Sequence, residues 1–267
     1  MTDLRNYSLV TAAYWGFTLT DGALRMLVLL HFYELGYSAV QIAFLFLHYD
    51  ICGVVTNLDG GWVGSHMGLK LTLIAGMALQ VVALSALAML DQSWSVALSV
   101  AYLMGAQALS GIAKDLTKMS SKSAIKVLVP EHAESALFKW VALLTGSKNA
   151  LKGAGFFLGG VLLTWIGFRG SLLVMAGALA LVLLATLVSL PREIGMAKQK
   201  TEFSAILSKS RNINLLSAAR LFLFGSRDIW FVVGLPVFLA ASLGWSHAEV
   251  GGFLALWVIG YGGVQAL

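Results

Sequence analysis

The chain has 267 residues, of which 58% are hydrophobic and only 12% charged, about half the charged share of a soluble globular domain. That balance excludes an ordinary soluble fold, so the net charge of +5 belongs to a lipid-embedded chain and is not a nucleic-acid signal. A single cysteine, Cys52, excludes a disulfide framework and any C-x-x-C metal or redox site, and no metal or cofactor is expected.

A hydrocarbon core of about 30 Å is crossed by about 20 apolar residues in helical form. Eight such runs follow one another, at 8–33, 38–60, 71–90, 95–113, 137–166, 171–190, 213–240 and 249–267. They predict an all-α membrane protein joined by short polar connections and two longer basic ones.

The first span, GFTLTDGALRMLVLLHF at 16–32, places Asp21 and Arg25 near its middle, where each charge costs about 2.5–3.5 kcal/mol. At i and i+4 they share a helix face and are expected to pair. The second span holds His48 and Asp50, candidate proton carriers. Gly61, Gly64 and Gly68 then predict a tight joint ending in Lys70, suited to gating between helices.

Span four runs out into Lys114, Lys118, Lys122 and Lys126, whose four-residue spacing makes a broad basic face on a helix. Lys122 and Lys126 suit lipid headgroups, whereas Lys114 and Lys118 are expected to draw anions toward a cytoplasmic opening. Span five carries Lys148 and Lys152 one turn apart, like charges that repel unless something compensates them. It also carries Gly155 and Gly159, four apart, as in close helix contacts. Span seven carries Arg220 and Arg227 two turns apart, with Asp228 beside the second.

Twelve Lys and Arg residues outside the spans or at their margins fall on one side of this layout, and only Arg169 falls on the other. The N-terminus is therefore expected to be cytoplasmic. The remaining cations, Arg25, Lys148, Lys152, Arg220 and Arg227, outnumber the mid-span acids Asp21, Asp50 and Asp228. An interior with excess cations is most easily tolerated when an anion visits, and Arg and Lys suit oxyanions. Asp21, Asp50 and Asp228 are the candidates for proton coupling. An enzyme would need a nucleophile with its base or an acidic metal cluster, and the sequence offers neither.

Two exits resemble each other: ELGYSAVQIAFLF at 34–46 and SLGWSHAEVGGFLAL at 242–256. This equates span seven with span one and predicts three parts: a six-helix bundle over 1–190, a basic cytoplasmic linker over 191–211, and the first two helices of an incomplete second bundle over 212–267. Two six-helix halves would be the complete arrangement.

Residues 61–70, GWVGSHMGLK, share Gly61, Gly64, Gly68 and Lys70 with the loop pattern of major facilitator proteins, with Ser65 and His66 in place of its Asp and Arg. The strings FTLTDGALRMLVLLHF, QALSGIAKDLTKMSSKS, LFKWVALLTGSKNALKGAGFFLGG and SAARLFLFGSRDIWFVVGLPVF resemble the organoarsenical efflux permeases of arsenic-resistance operons, within the major facilitator superfamily. The resemblance implies gradient-driven export of 1-arseno-3-phosphoglycerate across a bacterial inner membrane, with glyceraldehyde-3-phosphate dehydrogenase as the producer of that ester. The same charges would serve another phosphorylated or carboxylated anion, and an incomplete chain without transport is the further alternative.

Overall fold

A computed structural model of the protein describes residues 2–91, 93–128, 134–191 and 210–266. The expected linker at 191–211 lies outside the described residues except at its ends, and so does the side chain of Lys126. Among the described residues every regular element is helical. In order they are α1 (Thr2–Glu34), α2 (Ala39–Leu45), α3 (Leu47–Met67), α4 (Leu69–Ala88), α5 (Val96–Leu128), α6 (Glu134–Ser189), α7 (Arg211–Asp228), a π-helical turn (Ile229–Gly234), α8 (Leu235–Leu243) and α9 (His247–Ala266).

Five stretches of the described residues are long and apolar enough to cross a membrane: Ala39–Asn57, Leu69–Ala88, Val96–Ala124, Phe138–Ser189 and Arg211–Leu243. The fourth has 52 residues, about 78 Å if straight, and is broken at Gly167, whose backbone sits at φ 68°, ψ 180°. Contacts with α1 show that the chain reverses there. Trp15 donates to Ser147 at 3.0 Å, and His31 stacks on Phe168 at 4.1 Å, so α1 and the first limb of α6 run the same way. Beyond the break, Val182 comes back to Gly16, so the second limb runs the other way. The predicted fifth and sixth spans are these two limbs.

Direction alternates elsewhere as well. Helix α5 runs against α4, joining Ser110 to Gln80 and Tyr102 to Ala86. It runs with α3, where Gly111 meets Tyr49 and Asp115 meets Gly53. Helix α9 runs against α6, with His247 at Gly160 and Ala255 at Gly153. With α2 and α3 as the second span, and α7, the π turn and α8 as the seventh, the eight predicted spans are present.

Gly167 adopts a backbone conformation essentially reserved for glycine, and a Cβ there would meet open space. Gly167→Ala is therefore expected to lower stability through backbone strain alone, by about 1–3 kcal/mol. Gly177→Ala, also in open space but helical, serves as the control that should not destabilise. Thermal unfolding of the two variants in detergent checks this.

The expected boundaries differ in four places. The second span breaks at Phe46, where α2, started by a Ser38–Gln41 capping box, gives way to α3. The expected loop at 61–70 is helical apart from Gly68. Lys70 caps the far end of α6 by donating to the carbonyls of Leu187, at 3.1 Å, and Leu190. Lys114 to Lys126 are helical, because α5 continues to Leu128. In the seventh span a π turn precedes Pro236, whose missing N–H removes a helical hydrogen bond and favours such a register change.

Helix α1 is the axis of the bundle. Ala23, Leu24 and Met26 through Leu30 are each at most 1% exposed, because α5, both limbs of α6 and the kinked second span surround them. Its mid-span polar residues Thr18, Thr20, Asp21 and Arg25 therefore face protein rather than lipid, which is how a span of modest hydropathy is accommodated.

Candidate functional site

The break at Phe46 sets Tyr49 and Asp50 in the first turn of α3, where a carboxylate is favoured by the helix dipole. There they face Arg25, in the middle of α1. Arg25 is 3% exposed. Its Nη2 donates to Asp50 Oδ1 at 2.8 Å and its Nη1 to Asp228 Oδ2 at 3.4 Å. Asp228 is the last residue of α7, and the π turn follows it directly. One guanidinium thus joins the first, second and seventh spans. Its fork suits such divided pairing better than an ammonium would.

The expected Asp21–Arg25 pair is not formed. Asp21 accepts instead from the Tyr49 hydroxyl at 2.5 Å. Arg25 lies over the Tyr49 ring at 4.4 Å from its centroid and near Phe46 at 5.6 Å. Lys114 sits 4.1 Å from the same Tyr49 ring and 3.8 Å from both Asp50 and Asp115. Lys118 pairs with Asp115 at 2.8 Å, and Asn57 donates to the same carboxylate at 3.0 Å. Both lysines thus pair with carboxylates of the bundle.

Lys148 and Lys152 are half-buried on α6. Lys152 lies within electrostatic reach of Arg25, Asp21, Asp228 and Lys114, and Lys148 within reach of Lys152 and Asp21. Neither makes an ion pair or hydrogen bond among the described residues; Lys152 only approaches the Phe156 ring, at 5.7 Å. Arg227 is half-exposed and chelates Asp228 at 2.6 and 2.9 Å. Arg220 is exposed on α7, outside the Arg25 recess, and His48 is exposed, away from the cluster. The recess beside Arg25 is closed by Asp50, Asp228, Phe46, Ile229 and Val232.

The structure thus gathers Asp21, Arg25, Asp50, Lys114, Lys118, Lys148, Lys152, Arg227 and Asp228. It adds Tyr49, Asn57 and Asp115, which the sequence reading passed over. Asp115 had a visible signal, a Lys-Asp-x-x-Lys spacing that puts acid and base on one helix face. Tyr49 and Asn57 had none, because their partners lie on other helices. A second link joins Glu34 at the end of α1 to His247 at the start of α9, at 3.3 Å.

The sequence profile of the Major Facilitator Superfamily matches residues 9–267. The chain belongs to that superfamily. Among solved structures, a bacterial homologue of the human drug peptide transporters PepT1 and PepT2 superposes with a TM-score of 0.61 at 14% identity, covering 91% of this chain and 54% of its own. A D-xylose-proton symporter superposes with a TM-score of 0.57 at 14% identity, covering 98% of this chain and 66% of its own. At such identity the likeness speaks for the fold, and the chain spans less than two thirds of either relative. No curated protein matches it significantly. As a member of the superfamily with these helices, it is an integral membrane protein.

Proposed function

We propose that this facilitator protein is an efflux transporter for an anionic, oxygen-rich organoarsenical, 1-arseno-3-phosphoglycerate, and thereby protects against arsenate. The observation that carries this reading is that Lys148 and Lys152 make no ion pair or hydrogen bond among the described residues, beside a cluster in which Arg25, Lys114, Lys118 and Arg227 each pair with a carboxylate. Two lysines without an ion-pair partner beside that cluster favour a polyanion, and the substrate offers an arsenate and a phosphate group. The long strings shared with organoarsenical permeases support the same substrate. The N-terminus faces the cytoplasm, on the side of the basic stripe, and export proceeds by alternating access of the six-helix bundle over 1–190 against a second bundle whose first two helices lie over 212–267. Asp21, Asp50 and Asp228 are its proton-coupling groups.

Everted vesicles containing the protein, supplied with arsenate, glyceraldehyde 3-phosphate, NAD and the dehydrogenase, test this. Arsenic accumulation should require the dehydrogenase. In Lys148→Gln/Lys152→Gln it should fall about tenfold or more, as expected for two lost charge-assisted contacts. Accumulation without the dehydrogenase would assign free arsenate instead. None at all, with the protein verified in the membrane, would overturn the organoarsenical reading.

A further inference from the structure

A carboxylate one turn before a guanidinium on the same helix ordinarily takes it as its partner. Here Asp21 does not, although Arg25 Nε is buried and has no hydrogen-bond acceptor among the described residues. The difference lies in Tyr49. Its side chain is fully buried, its hydroxyl donates to Asp21, and its ring bears the Arg25 and Lys114 cations. Resting on the reading of this site as an oxyanion site, we infer that Tyr49 is a positioning residue that withholds Asp21 from the idle Nε of Arg25, whose Nη atoms already hold Asp50 and Asp228, and so keeps that edge of the guanidinium available to an anion.

Without the hydroxyl, the groups around Asp21 decide where its charge goes. They are Tyr14 and Arg25 on α1, Lys114 on α5, and Lys148 and Lys152 on α6. Arg25 has an idle donor and shares the helix face, so it takes the carboxylate. An internal ion pair then competes with the substrate for the same guanidinium. Tyr49 thus selects the partner of Arg25 without touching the substrate.

Four purified proteins separate this role from simple packing: wild type, Tyr49→Phe, Asp21→Asn and the double variant, titrated with 3-phosphoglycerate by calorimetry. Tyr49→Phe keeps the ring and should weaken binding about tenfold, the weight of one hydrogen bond to a charged group. The double variant should recover the affinity of Asp21→Asn, because the competing carboxylate is gone. Unchanged affinity in Tyr49→Phe, or a loss that Asp21→Asn does not rescue, overturns the inference.

Should the wild type bind no 3-phosphoglycerate, the oxyanion reading fails, and infrared spectra of the ligand-free proteins still decide the role of Tyr49. The Asp21 carboxylate band, assigned by its loss in Asp21→Asn, should move in Tyr49→Phe as its donor changes from phenol to guanidinium. A band that stays in place overturns the inference. If Tyr49→Phe is not monodisperse, the phenol C–O stretch in Asp21→Asn reads the same bond from its other end, and an unshifted stretch is the overturning result.

Discussion

Arg25→Gln is expected to abolish substrate uptake and to lower stability by about 2–3 kcal/mol, somewhat below the roughly 3–5 kcal/mol for breaking a fully buried ion pair. The discount follows from the acids, since the side chains of Asp50 and Asp228 are 45% and 23% exposed while that of Arg25 is 3% exposed. Removing the guanidinium leaves both carboxylates facing one recess without their shared counterion, and like charges there repel. Glutamine cannot span Asp50 and Asp228, so α7 loses its charged link to α1. Arg25→Lys should recover part of the stability and little of the uptake, because an ammonium is a point charge without the fork. Uptake in vesicles and thermal unfolding in detergent measure both quantities. Wild-type uptake by Arg25→Gln would remove Arg25 from the site.

Gly155→Ala is expected to cost about 1–3 kcal/mol, as overpacking does, and Gly155→Val to yield no monodisperse protein. Helices α1 and α6 cross backbone to backbone. A methyl at Gly155 would stand 2.5 Å from the Leu19 carbonyl oxygen, one at Gly159 2.5 Å from that of Ala23, and one at Gly22 2.6 Å from that of Lys152. None of these obstacles is a flexible side-chain end, so the helices themselves would have to part. Such small-residue contacts hold membrane helices together where no hydrophobic driving force separates them from lipid. Gly105→Ala, with nothing near its added methyl, is the matched control. Size-exclusion profiles and thermal unfolding give the readout. Equal stability of the Gly155 and Gly105 variants would mean that the crossing is looser than this.

The parts of this fold that depend on composition and spacing were legible in the sequence. Apolar length marked the eight spans, and the four-residue interval of Gly155 and Gly159 marked a close helix contact, though not that α1 is its partner. The breaks were harder to read. Phe46 is an ordinary apolar residue, and nothing local says that a helix changes course there. The π turn becomes intelligible only once Pro236 is seen to follow it. At the site, the sequence identified the buried charges but mispaired Asp21 with Arg25, because the i, i+4 rule describes a helix alone. The partners that override it, Tyr49, Asp50 and Asp228, lie 28, 25 and 203 residues from the groups they bind. Exposed positions such as Arg220 and His48 could not be told from cavity positions by residue type.

The buried axis also bears on how the chain is made. Helix α1 precedes α2 to α9 and is made before them, yet it is not among the five stretches of the described residues apolar enough to cross a membrane. Its two mid-span charges work against partitioning into lipid, at about 2.5–3.5 kcal/mol each. The residues that satisfy them are synthesised later, and the last of them, Asp228, follows Arg25 by 203 residues. The earliest of these helices therefore waits for the seventh span before Arg25 meets its second carboxylate. Its retention in the bilayer depends on helices that do not yet exist when it emerges.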